Sequence, residues 1–406
     1  MCFLATTLCY IDRVNISVAV IPMAEEFGWD NTTKGVVLSS FFIGYLLMMT
    51  PGGWLAGRFG GRVVMGTALA AWSLFTLLTP VAAGISFSAL IVMRILMGMG
   101  EAANFPAIIA LYARWLPATE RTRAVSLMFA GIPAGTVLGL TVSGLLVAAY
   151  GWQENFYIFG AVGLAFAGIW FWLVHGTPAS HPAISAEERT LLAGLGSEHH
   201  EQPPVPWGRL LRMKPVWAII INHTTTTWSL YLMLTWMPSY FRDVQGLAIA
   251  KSGLFSALPW LTAMITGPLI GQFADRWLAR GASLTTVRRT MQVTAMLGIA
   301  AGMLTASQVT DANTALFVLC VTMAFYSFAS SGFGCNHLDI APRYAAPLYG
   351  LTNTFATIPG IVGVAITGWL LDVTGSYTST FLLAAGVAMV GAITWLAWGT
   401  GEQVID

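Results

Sequence analysis

Long apolar stretches recur along this chain, each close to the roughly 20 residues that a helix needs to cross a bilayer. Twelve can be marked: 1–22, 34–57, 62–84, 86–112, 122–149, 154–175, 215–240, 251–275, 287–307, 313–337, 346–371 and 378–399. Short turns bearing Gly, Pro and basic residues separate most of them. One polar segment, 176–213, is longer; it holds Glu187, Glu188, Arg189, Glu198, His199, His200, Glu201 and the run Pro203-Pro204-Val205-Pro206. It divides the spans six and six. The pattern predicts an all-α membrane protein with twelve transmembrane helices in two six-helix bundles. Residues 1–175 form the first bundle, 176–213 a linker on the water side, and 214–406 the second.

Composition supports this reading. Of 406 residues, 56% are hydrophobic and only 9% are charged, against about 25% charged in soluble domains. Such a chain cannot cover its surface with groups that favour water, so it must face lipid. The net charge of +1 gives no reason to expect a nucleic-acid partner. Gly (42) and Trp (16) are abundant, as close helix packing and interfacial anchoring require. Cys2, Cys9, Cys320 and Cys335 show neither metal spacing nor a paired framework, and read as buried thiols acting as small hydrophobes. Asp12 and Arg13 interrupt the first apolar stretch, which rules out a secretory signal core. Its start almost inside the first span is the position expected if a short cytoplasmic leader preceded it.

Basic residues set an orientation. With both termini cytoplasmic, the inner loops hold 14 Lys or Arg and the outer loops hold Lys34, Arg242 and Lys251; the remaining two of 19 are Arg13 and Arg94. This asymmetry places the termini and the linker inside a cell membrane, either plasma or bacterial inner. The run Gly53-Trp54-Leu55-Ala56-Gly57-Arg58 after span 2 is echoed after span 8 by Gly271-Gln272-Phe273-Ala274-Asp275-Arg276. The copies lie 218 positions apart (271 − 53), about half the chain, as expected for two parallel repeats with a solute site between them.

These two loops resemble the Gly-x-x-x-Asp-Arg-x-Gly-Arg-Arg signature of the major facilitator superfamily. Gly57 replaces the signature Asp in the first copy, whereas Asp275-Arg276 keeps it in the second. Asp12-Arg13-Val14-Asn15-Ile16-Ser17, Arg94-Ile95-Leu96-Met97-Gly98-Met99-Gly100-Glu101 and Phe105-Pro106-Ala107 resemble motifs of its anion:cation symporter family. Asn336-His337-Leu338-Asp339-Ile340-Ala341-Pro342-Arg343-Tyr344-Ala345, with Gly401-Glu402, is similar to the sialin, vesicular glutamate and sodium–phosphate transporter branch. Trp236-Met237-Pro238, Gly253-Leu254 and Arg288-Arg289 look most like the plant and algal phosphate/ascorbate anion transporters. The resemblance implies the major facilitator fold and cation-coupled anion transport by alternating access.

Six residues are candidates for that chemistry. Arg13 lies in mid-membrane, where a charge costs several kcal/mol and normally faces a cavity or a partner. Its planar fork of donors suits a carboxylate or phosphate. It therefore reads as the anion clamp, with a structural ion pair to Asp12 or Glu101 as the alternative; the family places a substrate-contacting Arg here. Asp12 is turned about 100° from Arg13 around the helix and reads as a proton or Na⁺ site, a role the family also gives this position. Arg94 and Glu101 are seven residues apart and share one face of span 4, with Gly98 between them leaving room for close approach. Glu101 reads as a proton-binding carboxylate and Arg94 as its counter-charge; a permanent structural pair is the alternative. Tyr45 and Asn353 match positions that contact substrate in bacterial sugar-acid members, although such residues in membranes are commonly helix–helix partners.

Three polar groups of the relatives are absent: Ile132 replaces a Gln of the sugar-acid members, and Leu38 and Thr226 replace a His and an Arg of the vesicular glutamate members. The site is more apolar than theirs, with one dominant Arg, which argues against glutamate. In His223-Thr224-Thr225-Thr226-Thr227-Trp228 the hydroxyls are expected to bond back to the helix, and His223 is a second proton-site candidate. Asn336, His337, Asp339 and Arg343 read as gate or structural residues. No Walker loop, zinc helix or nucleophile elbow appears, so no enzyme is expected. The partners expected are a small anion and lipid, without nucleic acid, for a monomer that needs no cofactor beyond H⁺ or Na⁺. A passive anion channel or uncoupled facilitator is the alternative.

Overall fold

A computed structural model describes residues 1–182, 184–185, 187–188, 192 and 205–405. Among them every long element is helical, as lipid demands of backbone groups that have no water to bond. Among the described residues the twelve predicted spans correspond to α1 (Cys2–Phe27), α2 (Asn31–Phe59), α3 (Gly61–Ile85), α4 (Phe87–Trp115), α5 (Ala118–Tyr150), α6 (Trp152–Leu173), α7 (Lys214–Thr235), α8 (Ile249–Ala279), α9 (Leu284–Ala306), α10 (Ala312–Ile340), α11 (Pro342–Thr374) and α12 (Tyr377–Trp398); ten are long and apolar enough to cross a membrane by themselves, and α7 and α9 are the two more polar ones. Most run a few residues past the apolar stretch that announced them, because the helix hydrogen-bond ladder continues after hydropathy falls. Glu187 and Glu188 of the linker are described and exposed. Arg189, Glu198, His199, His200, Glu201, Pro203 and Pro204 lie outside the described residues.

Four spans are interrupted. α4 breaks at Ala103, just before Pro106, and a short helix (Met237–Asp243) follows α7 with Pro238 at its start. α10 and α11 each contain a π-helical turn, at Ser330–Gly334 and Pro359–Gly363. A proline cannot donate to the carbonyl four residues back, so Pro106, Pro238 and Pro359 each leave a gap in the ladder. Leu47, Leu145, Leu269, Phe317 and Ile393 are more than half exposed. In a helical chain this apolar, those are surfaces for acyl chains rather than water.

Contacts divide the chain into two compact units. The first comprises Met1–Ala19 and Ser40–Pro203, the second Val20–Ser39 and Pro204–Asp406. In the first, glycines let backbones meet. A Cβ on Gly131, Gly135 or Gly139 of α5 would strike Phe3, Thr7 or Ile11 of α1, and one on Gly98 of α4 would overlap the Phe41 carbonyl of α2. Both sets have the small-residue spacing that membrane helices use to approach closely. Together they fix α1, α2 and α4 against one another where Arg13, Tyr45 and Glu101 sit.

The second unit includes the loop end of α1 and the first turns of α2. Asp372 of α11 accepts from the backbone N–H of Asn31 (3.0 Å) and Thr32 (2.6 Å), capping α2 where the helix dipole favours a carboxylate. Lys34, expected in an outer loop, lies in the first turn of α2, buried, with its ammonium 3.6 Å from Asp243. The helix begins at Asn31, three residues before the apolar stretch, which puts Lys34 inside its first turn.

The repeat is legible inside each unit. Trp170 at the end of α6 donates to the Arg62 carbonyl at the start of α3 (3.0 Å), and Arg62 donates to the Phe171 carbonyl (2.6 Å). In the second unit Trp395 of α12 donates to the Arg288 carbonyl of α9 (3.1 Å), and Arg289 donates to the Gly399 carbonyl (2.8 Å). Each arrangement satisfies carbonyls near a helix end. The turns entering α3 and α9 each carry a glycine at positive φ, Gly60 (84°) and Gly281 (93°), a conformation that other residues adopt only with strain. The cysteines depart from expectation: of the four, only Cys9 is buried, and Cys335 is exposed.

Gly135→Val places two methyl groups against the Thr7 carbonyl and Tyr10. Expected is a destabilisation of about 1–3 kcal/mol, read as a lower thermal midpoint of the detergent-solubilised protein. An unchanged midpoint would refute backbone contact between α1 and α5.

Candidate functional site

Four ionisable side chains share the core of the first unit, and all are buried: Asp12 and Arg13 from α1, Arg94 and Glu101 from α4. α1 presents them because adjacent residues point about 100° apart. Arg13 therefore faces α2 and α4, while Asp12 turns toward α3, where the Trp72 indole donates to its Oδ2 at 3.1 Å. Asp12 Oδ1 has no hydrogen-bond partner among the described residues.

Arg13 and Glu101 form an ion pair. Nε and Nη2 of the guanidinium lie 3.0 and 2.9 Å from the same carboxylate oxygen, Oε2. The Cys9 thiol donates to that oxygen too, at 3.3 Å. Oε1, by contrast, has no partner among the described residues. One oxygen thus takes three donors while its twin is left bare. Three aromatic rings box the guanidinium: its Cζ lies 4.6 Å from the Tyr10 centroid, 5.0 Å from Phe41 and 4.7 Å from Tyr45. Each ring face attracts a cation, and more strongly once water is excluded.

Arg94 is placed differently. Its Cζ lies 5.4 Å from the centroid of the Phe41 ring, and its Nη1 points at the Met97 sulfur, 3.3 Å away. Phe41 is therefore shared by both guanidinium groups. Arg94 lies within Coulombic range of Glu101 and Asp12, yet its Nε is unpartnered among the described residues. The pair that the spacing suggested, Arg94 with Glu101, is not the one formed. Seven residues along one helix bring the two onto one face, but α1 inserts Arg13 beside Glu101 first. Arg13 thus pairs with Glu101 and not with Asp12.

Tyr45 joins this cluster as one wall of the aromatic box. Asn353 belongs to the second unit, on α11, partly exposed, with its backbone carbonyl accepting from Thr357 at 2.9 Å. Four contributors escaped the sequence reading. Cys9 and Tyr10 lie four and three residues before Arg13, a spacing that puts them on its face, and Phe41 stands likewise one turn before Tyr45. Trp72 gave no signal, because only the packing of α3 on α1 brings its indole to Asp12.

In the second unit, Thr224, Thr225 and Thr227 bond back to carbonyls of their own helix. Thr227 also reaches the Ala356 carbonyl of α11. Arg288 grips Asp339 through two nitrogens (2.6 and 3.3 Å), and Asn336 ties Asp339 to the Thr400 carbonyl. These contacts join Arg288 of α9 and Asp339 of α10 to the residues just after α12; Arg343 is exposed. A cavity of about 420 Å³ lined by Asn31, Tyr240, Asp243 and Tyr377 contains none of the six candidates.

A helical membrane protein built twice over from six spans, with a buried charge cluster in place of a catalytic centre, is the form of a solute transporter. A model of the Major Facilitator Superfamily matches residues 2–364, and the chain belongs to that family. It is 37% identical to the chloroplastic ascorbate transporter of Arabidopsis thaliana over all of this chain and 75% of that protein. It is 38% identical to the chloroplastic sodium-dependent phosphate transport protein 1 of the same plant, over all of this chain and 79% of that protein. These relatives lie in the anion transporter branch that the motifs resemble. The fold is shared with a solved bacterial homologue of the human lysosomal transporter Spinster, inward-facing and occupied, with a TM-score of 0.76, 17% identity, and coverage of 98% and 95% of the two chains. The chain is thus a multi-pass membrane transporter, not an enzyme.

Trp72→Phe keeps the ring and removes the one hydrogen bond Asp12 has been shown to receive from another helix. Expected is a loss of about 1–3 kcal/mol, measured as a lower unfolding midpoint in detergent. A midpoint equal to the parent's would show that the indole does not hold Asp12.

Proposed function

We propose that this protein is a secondary active transporter. It carries a small anion (a carboxylate, a sugar acid or phosphate) together with H⁺ or Na⁺ by alternating access. The observation that carries this reading is the aromatic-boxed Arg13, held by one oxygen of Glu101 while the other is bare. The names of the two Arabidopsis relatives, one for ascorbate and one for phosphate, support the anion class.

Charge balance supplies the coupling. Asp12 and Glu101 against Arg13 and Arg94 sum to zero when all four are ionised. A monoanion entering alone would leave a net negative charge where water is scarce, which is strongly unfavourable. A proton on Glu101 releases the Arg13 guanidinium and leaves the cluster at +1. The anion then takes the place of the carboxylate on the same donors, and the total returns to zero. Anion and carboxylate compete for one arginine, so binding of the anion and of the cation favour each other. Asp12, oriented by Trp72, is the second carboxylate able to hold H⁺ or Na⁺. Tyr45 walls the anion site, and Asn353 on α11 is a further candidate for a substrate contact. The basic loops support an orientation with both termini cytoplasmic in a cell membrane.

Reconstituted liposomes test this with phosphate, ascorbate, sugar acids and dicarboxylates under imposed H⁺ or Na⁺ gradients. Arg13→Lys keeps the charge but loses the planar fork, and is expected to reduce uptake by at least about tenfold, or 1.4 kcal/mol, with expression intact. Normal uptake ends the anion-clamp role. Glu101→Gln is expected to abolish gradient-driven accumulation and to spare anion exchange. Accumulation that still follows the pH gradient removes Glu101 from the coupling, and uptake indifferent to every gradient identifies an uncoupled facilitator.

A further inference from the structure

The second unit buries two histidines that the carrier scheme above does not use. His223 of α7 and His337 of α10 both bond to one hydroxyl, that of Thr352 on α11. His337 Nε2 lies 2.8 Å from Thr352 Oγ1, and His223 Nδ1 lies 3.1 Å from it. The hydroxyl has a third neighbour, the Tyr349 carbonyl, at 3.1 Å. The remaining ring nitrogen of His337, Nδ1, lies 3.4 Å from the Gly334 carbonyl, the last residue of the π-helical turn. Turns of this kind recur at functional sites.

A hydroxyl has one hydrogen to give and two lone pairs to receive with. Two proton arrangements therefore fit the same heavy-atom positions. In the first, both rings are neutral. His337 donates from Nδ1 to the Gly334 carbonyl, Thr352 donates to His337 Nε2, and His223 donates from Nδ1 to Thr352. In the second, a proton from water has joined His337 Nε2, forming a new N–H bond. That N–H now donates to Thr352 Oγ1, whose own hydrogen turns to the Tyr349 carbonyl. His223 goes on donating to the same oxygen. His337 keeps a partner at both ring nitrogens in both states, and besides the added proton only the Thr352 hydrogen moves.

We propose that His337, Thr352 and His223 form a proton-binding site in the second unit, separate from the carboxylates of the first, with the Thr352 hydroxyl as its switch. An imidazolium removed from water persists only where both its N–H groups find acceptors. Here the Gly334 carbonyl and the turned hydroxyl are those acceptors. The groups facing the pair from the packed elements are few. Tyr349 of α11 lays its ring against both, at 5.3 Å from His337 and 5.8 Å from His223. The Phe333 ring of α10 lies tilted against His223, with centroids 4.9 Å apart. Cys335 and Asp339 are on the helix of His337, and Asp339 is neutralised by Arg288 of α9. The effect on transport rests on the carrier reading above; proton binding itself does not.

The full chain, labelled with ¹⁵N-histidine in detergent micelles, provides the test. The chain has six histidines, and His337→Gln and His223→Gln assign the two sets of ring resonances. Expected is a change of the His337 Nε2 resonance from unprotonated to protonated as the pH is lowered from about 8 to about 3, a range extended downward because a buried imidazole holds its proton less tightly than one in water. Thr352→Ser keeps the switch and should keep that titration. Thr352→Val removes it and should displace the midpoint by about one pH unit, the size of one hydrogen bond to a charged ring. A His337 ring that does not change over the range in the parent protein overturns the proposal, even if the Val variant fails to fold. So does a Val variant that titrates like the parent. In liposomes, the pH profile of phosphate or ascorbate exchange should move with Thr352→Val and not with Thr352→Ser. A profile that stays put while the ring titrates removes the site from transport. Glu101→Gln should leave the ring titration in place, which separates this site from the coupling carboxylate.

Discussion

An arginine guanidinium kept from water needs an anion, and in the first unit that anion is one oxygen of Glu101. Removing either partner from a buried pair costs about 3–5 kcal/mol, because the other charge is left uncompensated. The surrounding structure is organised around this constraint. Glycines on α5 bring α1 close enough to place Arg13, Gly98 lets α4 meet α2, and Tyr10, Phe41 and Tyr45 supply ring faces to the cation. The pair is closed but lopsided, with three donors on Oε2 and none on Oε1. Such a pair is held firmly enough to fold around, while one carboxylate oxygen stays without a partner among the described residues.

The two units solve the same packing problem with the same parts. A tryptophan near the end of the sixth helix caps a carbonyl at the start of the third, and an arginine beside that carbonyl returns the bond. What they bury differs. The first unit encloses four formal charges in one cluster, whereas the second buries Lys34 and Arg288, each beside its own aspartate, together with the histidine–threonine cluster and the Gln292–Asn222 bond (2.9 Å). The helix interruptions also concentrate in the second unit, with both π-turns in α10 and α11. Backbone irregularity is tolerated at membrane depth only where protein or a cavity surrounds it.

Much of the fold could be read from hydropathy alone. Twelve apolar stretches and one polar linker follow from the cost of placing backbone and charge in lipid, and the structure differs mainly at helix ends and interruptions. Lys34 shows the limit, since a long side chain one turn inside a helix looks like a loop residue until Asp243 is seen beside it. The cysteines show another. Apolar surroundings in sequence do not tell lipid-facing positions from buried ones, so Cys9 and Cys335 looked alike although one donates to Glu101 and the other is exposed.

Asp12, Arg13, Arg94 and Glu101 stood out by themselves, because an ionisable residue in an apolar span has few places to go. Helical spacing also placed Arg94 and Glu101 on one face. The sequence by itself determined which charges are buried and on which helices they ride. It did not determine who pairs with whom. That depends on crossing points between helices far apart along the chain, set by which glycines face which carbonyls. Trp72 reaches Asp12 across 60 positions, and Arg13 reaches Glu101 across 88. Only the tertiary structure decided those contacts, because periodicity describes one helix at a time and an ion pair between helices is a property of two.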